Sequence, residues 1–221
     1  TKHQWARDDP AFLLVLAAML AVAATAWAVT TGHYSLLHAA LLAAYALLVD
    51  LLLVGAVVST ACWYLANTHM LEGGAPGGAA WSAVSAVESD GRHPADGAPR
   101  DVVEWLYAFD VHCNSFFLLF LVLYAGQLLL LPLLLREGFF PALLSNALYA
   151  GAFAVYHYVT FLGYSELPFL RHTEAFGYAL ILVALAFLVS IPAAAISGFS
   201  ATHLAVSIYF PDWDWANASS R

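Results

Sequence analysis

Five long apolar runs dominate this sequence, and their lengths leave few folds open to it. They cover about residues 11–30, 36–66, 115–135, 140–162 and 175–196. Because about 20 consecutive apolar residues suffice to cross a bilayer as a helix, each run is predicted to be a transmembrane helix. The chain is 62% hydrophobic and 10% charged, a composition that a soluble domain cannot bury. We therefore predict an all-α, polytopic membrane protein with five transmembrane helices.

The chain is predicted to form one membrane domain, residues 1–221, with two short helices beside the five spans. An interfacial helix is expected over residues 101–114, where acids and aromatic rings precede the third apolar run and the rings suit the headgroup level. A short helix is expected after the fifth span, over about residues 199–210. Residues 72–100 are rich in Gly, Ser, Pro and Asp, which is typical of a flexible loop without a core of its own.

The basic residues predict how the spans are oriented. Five of them fall on the N-terminal side of the predicted bundle (Lys2, Arg7, Arg92, Arg100 and Arg171) and two on the other side (Arg136 and Arg221). Cytosolic segments carry the excess of Lys and Arg, so we predict a cytosolic N-terminus, a cytosolic 72–100 loop and a lumenal C-terminus. The same residues form no basic patch, which disfavours nucleic acid as a partner.

This topology brings the three densest polar and aromatic stretches, residues 1–12, 101–114 and 158–170, to the cytosolic face. Loops and interfaces carry function more often than packed spans do, so we predict that this face binds a partner. The predicted partner-binding residues are Trp5, Arg7, Asp8, Asp9, Glu104, Trp105, Phe109, Asp110, His112, Asn114, Tyr164 and Pro168.

Two features of this face are more specific. Trp105, Phe109 and His112 recur at i, i+4 and i+7 and so share one helix face. This aromatic stripe is either an interfacial anchor or an exposed docking stripe for a cytosolic partner. Arg7 and Asp110 are opposite charges at the same depth, and we hypothesise that they pair and hold the interfacial helix against the first span.

Asp50 stands near the middle of the second span, where an ionised Asp costs about 2.5–3.5 kcal/mol on insertion scales. We expect it to face the protein interior, either as a proton or ion site or as a hydrogen-bonded residue that fixes helix packing. Asp110 and His112 do not favour a metal site, because residues two apart on a helix point about 200° from each other. No metal, cofactor or catalytic residue is predicted.

Several strings are long enough to carry a family resemblance. They include QWARDDPAF at residues 4–12, residues 104–105, 107–112 and 114, YVTFLGYS at residues 158–165, and residues 167–170, with Thr202, His203 and Asp50 in addition. These strings resemble the uncoordinated-50 family of Golgi membrane proteins. The resemblance implies five spans, a Golgi location with the inner nuclear membrane as a second site, and no catalysis. It also implies a role in vesicle trafficking, with a cytosolic Arf guanine-nucleotide exchange factor as partner and membrane receptors as cargo.

A function of a different class remains as the alternative. The chain would then be a small-molecule or proton-coupled transporter, or an intramembrane hydrolase, that uses Asp50, His112 and His157. Such chemistry needs at least two titratable groups within hydrogen-bond reach. A dry bundle with Asp50 hydrogen-bonded to a neighbouring helix would argue against this alternative, whereas a cavity that links Asp50 to His157 would favour it.

The orientation gives the first testable prediction. In intact membranes, a reporter fused before Thr1 is expected to be cleaved by a protease on the cytosolic side, and a reporter fused after Arg221 is expected to be protected, because an odd number of spans separates the two ends. Cleavage of both reporters would show that a further span or a re-entrant segment exists around residues 199–210.

Overall fold

The computed structural model describes residues 11–31, 35–71 and 102–210. The helices in these ranges are α1 (Ala11–Thr30), α2 (Leu36–His69), α3 (Trp105–Leu134), α4 (Phe139–Ser165), α5 (Glu174–Ser197) and α6 (Ala201–Tyr209). The first five are long and apolar enough to cross a membrane, which confirms the all-α, five-span class. The predicted 72–100 loop lies outside the described residues.

Helix α3 differs from the prediction at its start. It runs without a break from Trp105 to Leu134, so residues 105–114 form its first turns and not a separate interfacial helix. The polar groups here find partners on α2: the Asn67 side chain donates to the Val103 carbonyl at 3.0 Å and accepts from the Val103 N–H at 2.9 Å. Trp105 Nε1 donates to Thr60 Oγ1 at 3.0 Å. These bonds hold the start of α3 along the end of α2.

Two of the spans contain π-helical segments, Ala46–Leu53 in α2 and Leu121–Gly126 in α3. A π-helical turn accommodates one extra residue, so it changes the direction in which the following side chains point, and such turns are frequent at functional sites. Asp50 lies in the first segment and Tyr124 in the second. The two irregular segments therefore supply the two sides of one contact, described below.

The chain reverses direction after α5. Gly198 has a φ of +67°, a left-handed conformation that glycine adopts without the clash of a Cβ atom, and its N–H donates to the Ala194 carbonyl at 3.1 Å. Ser200 then caps the start of α6, since its hydroxyl accepts from the His203 N–H at 3.4 Å. The short helix predicted after the fifth span is α6, and it folds back onto the bundle.

Buried polar contacts hold α6 in this position. The Thr202 hydroxyl oxygen accepts from the Ser145 hydroxyl at 2.7 Å and from Gln127 Nε2 at 3.0 Å. The Thr202 N–H donates to Ser145 Oγ at 2.7 Å, and the Ala201 N–H donates to Asn146 Oδ1 at 2.9 Å. Buried polar groups in a membrane need such partners because no water is present to replace them, so these bonds fix α6 against α3 and α4.

Helices α2 and α3 are in close contact at Gly55. A Cβ atom built there would lie 2.7 Å from Cδ2 and Nε2 of His112 and 3.1 Å from Phe109. Small residues permit such close helix contacts in membranes. The absence of a side chain at Gly55 is therefore what makes room for the buried His112 ring.

Replacing this glycine is expected to destabilise the bundle. Gly55→Ala should lower the stability by about 1–3 kcal/mol, the usual cost of overpacking a filled interior, measured as thermal unfolding in detergent. Gly151→Ala is the matched control, because a Cβ atom at Gly151 meets nothing within 4 Å. Equal unfolding temperatures for the two variants would contradict the close packing at Gly55.

Candidate functional site

A cavity of about 410 Å³ lies among α2, α3, α4 and α6, and α1 contributes to its wall. Most of its lining is apolar, with side chains such as Leu42, Val58, Phe116 and Leu123. A small number of polar groups within apolar walls is typical of a ligand site. The polar residues of the lining are Asp50, His112, Tyr124, Gln127, Tyr149, Tyr156, His157 and Tyr209.

Asp50 is held by two tyrosines from different helices. The Tyr124 hydroxyl donates to Asp50 Oδ2 at 2.5 Å, and the Tyr209 hydroxyl donates to the same oxygen at 3.0 Å. Trp27 Nε1 donates to the Tyr124 carbonyl at 3.0 Å, which connects α1 to the same point. Asp50 thus joins α2, α3 and α6, an arrangement that fits the interpretation of Asp50 as a hydrogen-bonded packing residue.

His112 makes a second polar contact in the cavity wall. Its Nδ1 atom lies 2.7 Å from the Tyr156 hydroxyl of α4. One turn further along α3, the hydroxyls of Ser115 and Thr160 are hydrogen-bonded at 3.0 Å. His112 is only 3% exposed, so it cannot touch a soluble partner in this structure.

The aromatic stripe of the sequence analysis faces α2. Trp105 is bonded to Thr60, while Phe109 and His112 pack at Gly55. Trp105 and Phe109 are half-buried and stack on each other, with ring centroids 5.5 Å apart. The structure therefore corrects the interpretation as an exposed docking stripe: the stripe is a helix–helix contact.

The other predicted partner-binding residues differ in exposure. Tyr164 is 1% exposed and stacks on Phe176 at 4.1 Å, so it is part of the core and not of a surface. Pro168 is exposed, and Glu104, Asp110 and Asn114 are partly exposed. Trp5, Arg7, Asp8 and Asp9 lie outside the described residues, and with them the hypothesised Arg7–Asp110 pair.

The structure brings residues 102–114 and 158–170 together at one end of the bundle, and Tyr107 connects them. Its hydroxyl donates to the Gly163 carbonyl at 2.6 Å. The carboxylates of Asp110 and Glu166 both lie within electrostatic range of Tyr107. We call Glu104, Asp110, Glu166 and Pro168 the acidic end surface.

The end of α2 reaches the same region. Leu71 and Leu170 form an isolated antiparallel bridge, and the Arg171 N–H donates to the Met70 carbonyl at 2.7 Å. Together with the bonds of Asn67 and Tyr107, these contacts tie α2, α3 and α4 to one another. The acidic end surface therefore has a rigid base.

Metal ligands do not converge in the part of the chain that the structure describes, where no three His, Cys, Asp or Glu residues are grouped. Asp110 is partly exposed and His112 is buried, as their separation on the helix predicts. Cys62 and Cys113 are free thiols.

The tyrosines that hold Asp50 were not predicted from the sequence. Tyr124 is 74 positions away from Asp50 in sequence and Tyr209 is 159 positions away, and neither belongs to a motif. The available signal was the presence of a polar ring in each of two largely apolar stretches. That signal indicates that a partner is needed without indicating which residue supplies it.

The chain is similar to known proteins over most of its length. The model of the UNC-50 family matches residues 1–210. A Dictyostelium discoideum protein named unc-50 homolog is 40% identical over 210 residues, covering 95% of this chain and 71% of that protein. The Homo sapiens unc-50 homolog is 32% identical over 213 residues, covering 95% and 70%. The GMH1 homolog of Schizosaccharomyces pombe is 29% identical over 213 residues, covering 94% and 78%. No solved structure matches the chain.

The Asp50 contact gives a prediction about stability. Asp50→Leu leaves two tyrosine hydroxyls without an acceptor and is expected to cost about 1–3 kcal/mol, whereas Asp50→Asn keeps an acceptor oxygen and should unfold close to the wild type in detergent. Tyr124→Phe should also destabilise the bundle, and Tyr178→Phe is its control because Tyr178 is 60% exposed.

If Asp50→Leu is as stable as Asp50→Asn, the hydrogen bonds to Asp50 do not hold the bundle together. A stable Asp50→Asn protein without function would indicate proton or ion chemistry.

Proposed function

This chain belongs to the UNC-50 family, and from that premise we propose that it is a non-catalytic Golgi membrane protein that docks a cytosolic Arf guanine-nucleotide exchange factor. The observation that carries the proposal is the acidic end surface, where α2, α3 and α4 are tied together at one end of the bundle. These contacts fix the positions of the surface residues before a partner arrives. Little free energy is therefore lost in ordering these residues when the partner binds.

The charges of this surface suggest the chemistry of the partner's contact. Asp110 and Glu166 both lie within electrostatic range of Tyr107, and Glu104 immediately precedes the first residue of α3. Complementary charge steers association and selects partners more than it adds affinity. We therefore infer that the exchange factor presents basic residues to the acidic end surface, at the membrane boundary.

Location and cargo are proposed from the same premise. The distribution of basic residues supports placing the acidic end surface on the cytosolic side, where a soluble exchange factor is accessible. We propose residence in the Golgi membrane, with the inner nuclear membrane as a second location. Activation of Arf at this membrane would promote vesicle formation and so support surface delivery of membrane receptors.

The transporter or hydrolase alternative has one observation in its favour, since Asp50, His112 and His157 all line one cavity. Their hydrogen bonds do not favour catalysis. Asp50 is bonded to Tyr124 and Tyr209, and His112 is bonded to Tyr156. Among the described residues no hydrogen bond joins two of the three titratable groups. The cavity is therefore better suited to binding than to proton transfer.

The docking proposal is tested by reversing charge on the acidic end surface. Asp110→Lys combined with Glu166→Lys should weaken capture of a purified Arf exchange factor by the protein in nanodiscs about tenfold, equivalent to about 1.4 kcal/mol. Glu137→Lys is the matched control, because Glu137 is an exposed acid in the connection between α3 and α4, at the opposite end of these helices. Capture that is the same for the double variant and the control would refute the proposed surface.

A further inference from the structure

The cavity opens sideways toward the membrane. Three of its lining residues are exposed, namely Val54 of α2 (45%), Phe153 of α4 (43%) and Tyr209 of α6 (36%). Val54 and Phe153 stand near the middle of their spans, so the opening lies at the depth of the lipid chains. A molecule dissolved in the bilayer can therefore reach the cavity without crossing the aqueous phase.

Polar groups inside the cavity retain hydrogen-bonding capacity. Both tyrosine hydroxyls bond to Oδ2 of Asp50, and Oδ1 accepts no hydrogen bond from the part of the chain that the structure describes. His157 lines the cavity and meets Tyr156 edge-on at 5.2 Å, and its ring nitrogens are likewise without a hydrogen bond to any described residue. Polar atoms in an apolar environment are costly when left unpaired, so these atoms favour an occupant with a hydrogen-bond donor.

The charge of the lining restricts the occupant's head. No Lys or Arg is among the described residues that line the cavity, and its one acid is Asp50. A phosphate head would meet a carboxylate with no cation to compensate it, which is unfavourable at low dielectric. A hydroxyl or an amine, in contrast, can donate to Asp50 Oδ1. Most of the remaining lining is apolar and suits a hydrocarbon body.

We propose that this cavity is a binding site for a membrane lipid that has a hydroxyl or amino head without phosphate and an apolar body. The lipid enters between α2 and α4, and its head donates to Asp50 at the contact where α2, α3 and α6 meet. This site is separate from the acidic end surface, and it stands whether or not an exchange factor docks there.

The test uses the whole chain in phosphatidylcholine nanodiscs with photoactivatable analogues of cholesterol, sphingosine and phosphatidic acid. Labelled residues are located by mass spectrometry of peptides. Cholesterol or sphingosine should label the cavity side of α2 and α4, and the unlabelled compound should compete. Labelling by cholesterol alone identifies a hydroxyl head, whereas labelling by sphingosine that is lost in Asp50→Asn identifies an amine held by the carboxylate.

A matched pair of variants tests the opening. Val54→Trp fills the mouth of the cavity and should reduce labelling several-fold, while Val57→Trp should not, because Val57 is exposed but does not line the cavity. Equal labelling in the two variants, labelling confined to other surfaces, or equal labelling by phosphatidic acid would overturn the proposal. If Val54→Trp does not fold, competition on the wild-type protein decides: labelling that excess unlabelled lipid does not reduce also overturns it.

Discussion

Helix α3 carries along its length the polar side chains that hold the neighbouring helices. Trp105 and Tyr124 bond to α2, Tyr107 bonds to α4, and Gln127 bonds to α6. Contact between two apolar helices is little more favourable in free energy than contact of each helix with lipid, because lipid tails are as apolar as the side chains. Polar side chains lose free energy unless they meet a partner inside the protein. The register of the bundle therefore depends on where the polar residues of α3 fall.

The cavity is a consequence of the same arrangement. Helices α2 and α4 both pack on α3, which leaves space between them at mid-length, and α6 folds back to close part of that space. The π-helical segments place Asp50 and Tyr124 at this point, where the two side chains meet. A bundle of regular helices with the same sequence would turn these side chains in other directions. The irregular backbone and the cavity are thus parts of one structural feature.

The sequence predicts the bounds of the spans better than it predicts the polar contacts at the start of α3. Span lengths follow from hydrophobicity, so α4 (Phe139–Ser165) lies close to the predicted residues 140–162. The segment predicted as an interfacial helix is continuous with α3, and hydropathy does not reveal that Asn67 and Thr60 supply hydrogen-bond partners for residues 103–105. Tyr164 and His112 were predicted to contact a partner, yet both are buried, because an amphipathic side chain at a membrane boundary suits a protein interior as well as an interface.

The class of this protein follows from features of the amino-acid sequence: five apolar runs of sufficient length, a distribution of basic residues that predicts one orientation, and strings that resemble one family. The apolar runs are local features, and whether each one crosses the membrane depends on its own transfer from water into lipid. Which polar groups meet is a property of the packed fold, because Asp50 and Tyr209 are 159 positions apart and many pairings would satisfy their hydrogen bonds equally well. The choice among those pairings depends on close contacts such as that at Gly55 and on the chain reversal at Gly198, whose effects appear only when the helices are packed together.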